Sequence, residues 1–483
     1  MSKLNPKSID GRLDYSEKLA GGFGMASAKQ SDYLQLRRCV LANLLWEDAA
    51  YQDGDLISDR IKSLIPKIDG KLVANLAVEC REEQKLRHTP IMILVEMLKY
   101  STHSKYVGEI IPKICTRPDM ITDLVALYWA ENSSKARTVK NQLKQGPLSK
   151  SLVRGVQQTL NNINEYGFGK YNRQTSVKFK DLIFLTHPKA ISDEQQLLFN
   201  KVISDDIKTP DTWEVGLSTT PKDQHKGVWE RLIEENKLGS LAFLRNLRNM
   251  KEADVDGNII RKGLLSLNTK MLLPLNFLSA VKYAPEFSKE LEKLMIDGWS
   301  QLPKLKGTTV FVVDVSGSME ANMSGKSEFN RMDVAKAMCL LAVNLCENII
   351  VYCTAGSDGR RIHSTEQIKY PSTGFGLFTQ IDALKSKLGG GGIFTRQCLN
   401  YIKEENSSIK PERIIVFSDS QDCDSSNSVP SPFGIYNYIV DVSNNTHGIN
   451  YKGVWTSEIS GWSEHFISFI AASEGINLGL NNE

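Results

Sequence analysis

The amino-acid sequence predicts a multidomain protein of two fold classes, an all-α helical-repeat part followed by a doubly wound α/β part. Apolar residues recur at three- and four-residue spacing from about Tyr33 to Trp299, which predicts a long series of helices. After Lys304 the rhythm changes to short apolar runs rich in β-branched residues that alternate with helical segments. The 483 residues are also too many for one ordinary core. We therefore predict two domains, residues 1–303 and residues 304–483.

The helical half is compatible with two packings. Polar, Gly or Pro joints such as Asp69-Gly70 and Gly146-Pro147 separate the apolar runs. Short antiparallel helices in a long series form either a compact bundle or a stacked solenoid of the HEAT type. The number of helices favours the solenoid, although self-similarity is too weak to fix a repeat period.

The second half begins with Thr308–Asp314, a run that is typical of a strand buried on both faces. Strands and helices then alternate, which predicts an open, mostly parallel sheet with helices on both faces. The predicted elements are helix Met332–Cys346, strand Ile349–Cys353, helices Thr379–Leu388 and Thr395–Glu404, strands Arg413–Phe417 and Tyr436–Val442, a strand that starts near Val454, and helix Glu464–Ala472.

Composition excludes several classes of protein. The chain is 41% hydrophobic and 24% charged, so neither disorder nor a fibrous class is indicated. The amino terminus is polar and no run of about 18 apolar residues occurs, so we expect neither a secretory signal nor a membrane span. Eight cysteines without CxxC spacing predict buried, reduced thiols. We therefore expect a cytoplasmic protein.

Oxygen-bearing side chains follow the predicted strands at the edge where ligands bind in open α/β sheets. Small, hard cations such as Mg²⁺ prefer such oxygens in near-octahedral geometry. Five oxygens from three loops would leave one coordination position open. The candidate ligands are Asp314, Ser316 and Ser318 on a tight loop after the first strand, Thr395 after a run of four glycines, and Asp419 after the strand Arg413–Phe417.

Each candidate ligand also has a plainer interpretation. Ser, Thr and Asp are favoured at helix N-caps, and Asp419 alone is an ordinary turn residue. Three loops that each carry the right ligand in the right order favour a metal site instead.

Enzymatic interpretations of the same loop fail on residue type. A phosphatase of the aspartyl-phosphate kind needs a second carboxylate where Ser316 stands. A serine hydrolase elbow needs G-x-S-x-G, but Met319 follows Ser318. We therefore predict no catalytic residue and a metal that serves binding, and we rank an enzyme that uses Asp314 and Asp419 with Mg²⁺ last.

Positive charge is concentrated in the helical half, although the net charge of the whole chain is only +3. Between Lys135 and Lys189, eleven cations stand against Glu165 and Asp181, and aromatic residues are interleaved. Cations for phosphates and aromatic rings for unpaired bases are what single-stranded RNA binding needs. The alternative is a set of solvated helix faces.

Two smaller basic groups accompany this stretch. Arg245 and Arg248 are spaced to share a helix face and could grip adjacent phosphates. A further group comprises Arg81, Lys85, Arg87 and His88.

The metal-site residues resemble a known motif. Asp-Val-Ser-Gly-Ser-Met after a buried strand, followed by Thr395 and then Asp419, is similar to the metal-ion-dependent adhesion site of von Willebrand A domains. The resemblance implies that Asp314, Ser316, Ser318, Thr395 and Asp419 bind a divalent cation, most readily Mg²⁺, with Ca²⁺ as the alternative.

Two stretches of the helical half resemble the TROVE module of Ro proteins. They are Lys178-Phe-Lys-Asp-Leu-Ile-Phe-Leu-Thr-His187 and Leu241-Ala-Phe-Leu-Arg-Asn-Leu-Arg-Asn-Met250. A TROVE module followed by a von Willebrand A domain is the order of the Ro ribonucleoprotein family, and the resemblance extends over about Gly21 to Ile470.

This resemblance implies a ring of HEAT-like repeats closed by the A-type domain. It also implies a ribonucleoprotein that binds small noncoding Y-type RNA and the single-stranded ends of misfolded RNA. The residues expected to contact RNA are Arg137, Lys140, Lys170, Arg173, Lys180, His187, Arg245 and Arg248.

The leading hypothesis is therefore a monomeric RNA-binding protein that tethers noncoding RNA or hands it to a nuclease. The alternative is a protein-interaction scaffold whose metal binds an acidic residue of a partner, with the helical half as a frame. Binding that weakens as salt rises would favour the RNA-binding hypothesis, and binding that is lost on metal chelation would favour the scaffold.

Overall fold

The structure is a computed structural model that describes residues 32–41, 54–132, 137–139, 142–144, 146–172, 176–269, 272, 274–300, 304–323, 329–419, 421–424, 432–442, 455–460, 466–474 and 476. It divides into two compact units. The first, here the repeat unit, contains Gln35–Val40 and Ser58–Val228, and the second, the sheet unit, contains the chain from Trp229 onwards. The predicted boundary at 303/304 falls inside the sheet unit, and the two-domain division stays a prediction.

The repeat unit is built from short helices. Their bounds are α1 Asp32–Leu41, α2 Gly54–Leu64, α3 Gly70–Glu82, α4 His88–Met97, α5 Ser101–Ile114, α6 Asp119–Glu131, α7 Lys150–Asn161, α8 Glu165–Tyr171, α9 Phe179–Thr186, α10 Asp193–Ile203 and α11 Trp213–Thr219. Helix α12, His225–Glu234, begins in this unit.

The helices of the repeat unit pack on their second neighbours as well as on their first. Helix α3 packs on α4 and α5, α4 packs on α6, and α5 packs on α7. This pattern is that of stacked helix pairs, so the solenoid is favoured over the bundle. The α5–α7 contact is close, because a Cβ added to Gly155 would lie 2.5 Å from Ile111 Cδ1.

The sequence predicted that the basic stretch of the repeat unit is helical, but the structure shows that part of it is not. Arg137–Val139 and Gln142–Lys144 form an antiparallel hairpin, β1 and β2. The stretch was expected to be helical because its few apolar residues carry no clear strand alternation.

Helices also begin the sheet unit. Helices α13 Ser240–Glu252 and α14 Gly257–Leu265 pack on α15 Pro274–Tyr283 and α16 Ser288–Trp299 respectively. The second-neighbour packing therefore continues here.

The rest of the sheet unit is a doubly wound α/β fold, as predicted. Its strands are β3 Leu305–Asp314, β4 Cys346–Ser357, β5 Ile362–Ile368, β6 Arg413–Ser418, β7 Tyr436–Asp441 and β8 Ser457–Ser460. They form a six-stranded sheet in the order β5-β4-β3-β6-β7-β8. All neighbouring strands are parallel except the pair β4–β5. Because the chain runs from β3 to β4 on one side and later to β6 on the other, the strand order reverses at β3.

Helices cover both faces of this sheet. Their bounds are α17 Arg331–Leu345, α18 Gly376–Leu388, α19 Thr395–Glu405 and α20 Phe466–Ser473. Val310 and Val312 of β3 pack toward Leu399 of α19. Phe311, the residue between them, instead stacks on Phe417, with Phe466 of α20 against both rings. Alternate residues of one strand thus enter two different cores, which is why the predicted strands are apolar throughout.

Among the described residues, no helix is long and apolar enough to cross a membrane. The eight cysteines are free, and all except the half-buried Cys423 are buried.

Candidate metal centre and nucleic-acid interface

The candidate metal centre starts at the last residue of β3. Asp314 is fully buried, and its Oδ1 accepts a hydrogen bond of 2.8 Å from the backbone N–H of Ser316. This bond holds the loop in a turn in which the hydroxyls of Ser316 and Ser318 are 3.2 Å apart. The structure therefore brings three predicted ligands of this loop together.

Strand β6 brings the second carboxylate to the same edge. Val313 pairs with Phe417 in the parallel ladder, so the next residues, Asp314 and Ser418, are neighbours. The Ser418 hydroxyl donates a 2.7 Å hydrogen bond to Asp314 Oδ2. Asp419 follows and is 2% exposed. Two carboxylates are thus buried side by side, which is unfavourable unless cations offset their charge.

Arg331, the first residue of α17, supplies one such cation. Its Nη1 donates to Asp419 Oδ2 at 2.6 Å and to the carbonyl of Ser318 at 3.3 Å. The guanidinium therefore joins the β3 loop to the β6 loop. Sequence analysis missed Arg331 because it follows the motif by more than a dozen residues and resembles an ordinary residue at a helix start.

The charge of this site changes the acidity of Asp314. Burial, together with the negative charge of Asp419, raises the pKa of Asp314 to about 7. The hydrogen bonds from Ser316 and Ser418 act in the opposite direction. A bound divalent cation would favour the ionised carboxylate.

Thr395 lies at the start of α19 and is 1% exposed. Its Oγ1 is buried and has no hydrogen-bond partner among the described residues. Its backbone N–H donates to Asp422 Oδ1 at 3.2 Å. A buried hydroxyl without a partner costs free energy, and coordination to a cation would remove that cost.

The glycine run before Thr395 is packed rather than loose. Gly317 N–H donates to the carbonyl of Gly390 at 3.3 Å, which joins this run to the β3 loop. A Cβ on Gly391 would lie 2.1 Å from the carbonyl oxygen of Gly356, and one on Gly392 would lie 2.2 Å from Cys423 Sγ. Gly391 and Gly392 therefore permit a close approach of neighbouring chain segments that a side chain would prevent.

The donor set fits a small, hard cation. It combines the carboxylates of Asp314 and Asp419 with three hydroxyls, one of which is the orphaned Thr395 Oγ1. Within the described part of the chain, no cluster of three or more His, Cys, Asp or Glu side chains could hold a metal ion. Carboxylate and hydroxyl oxygens are ligands that suit Mg²⁺ better than Zn²⁺, which prefers nitrogen and sulfur.

The predicted RNA contacts in the repeat unit centre on α8 and α9, which touch through the rings of Phe168 and Phe179. Lys170 Nζ lies 5.6 Å from the ring centre of Tyr166 and 5.9 Å from that of Tyr171. A cation beside two tyrosine rings can contact a phosphate and a stacked base at once.

Lys180 and His187 lie at opposite ends of α9. Lys180 Nζ is 3.9 Å from Asp205 Oδ2, so its charge is partly offset. His187 is exposed and caps the helix with a left-handed backbone (φ 48°), and its N–H donates to the carbonyl of Ile183. The histidine therefore has a structural role at the helix end, in agreement with the plainer interpretation of His187 as a capping residue, and its contact with RNA stays a prediction.

Arg245 and Arg248 lie in the other unit, both exposed on α13. Arg248 Nε donates to Glu252 Oε1 at 2.9 Å, and its guanidinium lies 5.2 Å from the ring centre of Tyr283. Both side chains are exposed on the same helix, which agrees with the prediction that they share a helix face. Lys140 and Arg173 lie outside the described residues, and of Arg137 only the backbone in β1 is described.

Stacked helix pairs and a doubly wound sheet with a D-x-S-x-S loop define a helical-repeat protein that carries a von Willebrand A-like domain. The TROVE domain model matches residues 204–295, a range that includes Arg245 and Arg248. The crystal structure of the Deinococcus radiodurans Ro (RSR) protein matches with a TM-score of 0.61 at 14% identity, covering 92% of this chain and 100% of that chain. No curated protein matches by sequence.

At 14% identity the crystal structure shows the fold, which is that of a Ro protein. With the TROVE match, the resemblance to the Ro family is confirmed. The stretch Lys178–His187 lies outside the matched residues, so its assignment to the TROVE signature stays a prediction.

Proposed function

We propose that this protein is a non-catalytic, Ro-like RNA-binding protein whose basic helices bind RNA. The observation that carries the proposal is the cluster on α8 and α9, where Lys170 lies beside the rings of Tyr166 and Tyr171. Cations and accessible tyrosines together suit unpaired RNA better than they suit a purely solvated helix face.

The ligands that we propose are small noncoding Y-type RNAs and the single-stranded ends of misfolded RNAs. Both offer phosphates next to unpaired bases, and single-stranded RNA exposes base faces that a duplex hides. We further propose that the protein acts as a cytoplasmic monomer in a ribonucleoprotein and passes RNA to a nuclease or another protein partner. Its free, largely buried thiols suit a reducing compartment.

The test is a gel-shift titration with a structured RNA that carries a single-stranded 3′ tail. We expect the wild type to bind, and Lys170→Ala/Lys180→Ala to bind at least tenfold more weakly, since two phosphate contacts are lost. The control Lys262→Ala/Lys289→Ala removes the same charge from exposed positions of the sheet unit. If both double variants weakened RNA binding equally, the loss would depend on net charge alone, and this outcome would contradict the proposal.

We also propose that Asp314, Ser316, Ser318, Thr395 and Asp419 hold a divalent cation, most readily Mg²⁺. The buried pair of carboxylates and the orphaned Thr395 hydroxyl support this assignment. The ion would offer its open coordination position to a carboxylate of a partner, in the manner of an adhesion site. The surrounding residues orient the oxygens and keep water from the buried side.

The cation can be tested by titrating Mn²⁺ into the metal-free protein and observing its electron paramagnetic resonance. We expect saturable binding that Mg²⁺ competes away, and that Asp314→Asn/Ser316→Ala loses. The control is Asp382→Asn, a half-exposed carboxylate of α18 outside the candidate site. If the protein bound the cation but bound no RNA even at low salt, the scaffold alternative would be favoured.

A further inference from the structure

A cavity lies within the repeat unit, at the carboxyl ends of α5 and α7. Its volume is about 470 Å³, within the range of roughly 300–1,000 Å³ that is usual for small-ligand pockets. It is framed by the turn between α5 and α6 and by the first turns of α8. The candidate metal centre does not account for it, and of the predicted RNA contacts Lys170 lies beside its wall, next to Tyr166 and Tyr171.

The lining divides the cavity into an apolar floor and an aromatic wall. Pro112, Pro118 and the buried Ile163 provide apolar surface. Tyr171 is half-buried and Tyr166 is 46% exposed, so both rings are accessible from solvent. Flat apolar surfaces of this kind suit a planar heteroaromatic ring, because a base can stack on tyrosine whatever its identity.

Polar groups surround this surface. The guanidinium of Arg117 lies 5.3 Å from the ring centre of Tyr171 and donates from Nε to Asp119 Oδ1 at 3.1 Å. Its orientation is therefore fixed. Asn162 and Asn164 also line the cavity, and Asn164 Oδ1 accepts a 2.8 Å hydrogen bond from the backbone N–H of Gly167. Amides and a guanidinium can pair with the polar edge of a base.

The local charge is positive. Arg87 and Arg117 share the buried Asp119, and Arg87 also pairs with Asp123. Arg81 lies near Arg117, whose positive charge adds to burial in lowering the pKa of Arg81. With Lys170 over Tyr171, the surroundings carry more cations than carboxylates. An anionic ligand is therefore favoured over a neutral or cationic one.

We propose that this cavity binds one unpaired nucleotide of a bound RNA, with its base against Tyr171 and its phosphate toward Arg117 and Lys170. The inference rests on the proposed RNA-binding function and adds a site that selects unpaired over paired nucleotides. A base within a duplex cannot enter, because its faces are already stacked.

The first experiment uses a single-stranded RNA that carries the fluorescent base 2-aminopurine. We expect the wild type and Tyr171→Phe to quench its fluorescence on binding, since both retain a ring for stacking. Tyr171→Leu should lose the quenching and bind about tenfold more weakly. Tyr370→Leu, at an 86% exposed tyrosine of the sheet unit, serves as the control and should behave as wild type.

A second experiment does not depend on RNA binding. Saturation-transfer NMR with AMP, GMP, CMP and UMP would detect nucleotide binding in the cavity directly, and Tyr171→Leu should abolish the signal. Asn162→Ala provides a second variant with a small change on the cavity rim, in case Tyr171→Leu fails to fold.

The outcomes separate the two proposals. RNA binding in the gel shift without quenching, and without a nucleotide signal sensitive to Tyr171, would overturn the nucleotide site and leave the RNA-binding function standing. A Tyr171-dependent nucleotide signal without RNA binding would support the site and overturn the wider function. Failure of both measurements would overturn both.

Discussion

Arg331 places a permanent positive charge against a carboxylate that is also a candidate metal ligand. The side chain of Asp419 is fully buried and that of Arg331 is 13% exposed, so solvent screens the pair little. The guanidinium donates to Asp419 Oδ2, and Asp419 Oδ1 accepts a longer hydrogen bond of 3.3 Å from the backbone N–H of Gln421. A cation at the proposed site would therefore share the Asp419 carboxylate with Arg331.

Replacing Arg331 by Met should destabilise the metal-free protein by about 3 kcal/mol, because a buried carboxylate loses a close counter-charge. Added Mg²⁺ should restore part of the loss by supplying positive charge at the same place. Thermal unfolding with and without Mg²⁺ measures both effects.

Lys336→Met is the matched control for this experiment. It removes a cation from the same helix, but its partner Asp382 is 53% exposed. A cost below about 1 kcal/mol and no rescue by Mg²⁺ are expected there. Equal responses of the two variants would show that Arg331 has no special relation to the site.

At the scale of single residues, the sequence predicts the candidate metal ligands but not the residues that hold them in position. Asp314 and the serines share one short motif, and their chemistry can be recognised without coordinates. Ser418 is 104 residues from Asp314, and Arg331 is 88 residues from Asp419. Their roles depend on strand register and on where a helix begins, neither of which residue type alone determines.

Helices α5 and α7 approach closely because glycine faces the contact. The Cβ position of Gly155 is 2.5 Å from Ile111 Cδ1 and 3.1 Å from the carbonyl oxygen of Gly108. A side chain there would have to push the helices apart or displace Ile111. The stacking of the repeat unit is therefore sensitive at this point to a single methyl group.

Gly155→Ala should lower the free energy of unfolding by about 1–3 kcal/mol through overpacking. Gly227→Ala should raise it by about 0.5–1 kcal/mol, since Gly227 lies in helix α12 and a Cβ there would meet nothing within 4 Å. Urea denaturation of the two variants would compare them directly. Stabilisation by both substitutions would mean that the close contact does not restrain the stack.

Elements with a strong apolar rhythm were predictable, and short polar ones were not. Strand Thr308–Asp314 was predicted and extends back to Leu305 in the structure. Strand β5 was missed because Ile362–Ile368 is an edge strand with mostly polar residues, joined to β4 as an antiparallel pair. Helix α8 was missed because seven residues with two glycines show little helical period.

RNA binding by the whole molecule should weaken steeply as salt rises, because bound cations release counterions from the phosphates. Each lost contact to single-stranded RNA lowers the salt slope by about 0.7. Lys170→Ala/Lys180→Ala should therefore reduce the slope of log K against log[salt] by roughly 1.4 relative to wild type. Fluorescence anisotropy across a salt series gives this slope. An unchanged slope with weaker binding would indicate that the two lysines support the fold and do not touch phosphate.

At the scale of the whole chain, the sequence predicted the order of fold classes, and the structure agrees. It did not predict that the compact units divide near Trp229, well before the sheet begins. The spacing of apolar residues is helical on both sides of that division. The spacing therefore cannot predict where the two units divide. The closed ring that the family resemblance implies stays a prediction.

The pairing of β3 with β6 has a consequence for how the protein is made. The bond between Ser418 and Asp314 joins residues 104 apart, so the metal loop leaves the ribosome long before its other half exists. At about 5–20 residues per second, the interval is roughly 5–20 seconds. A nascent chain stalled between the two strands would therefore lack Asp419, and the proposed cation site would be complete only after β6 has been made.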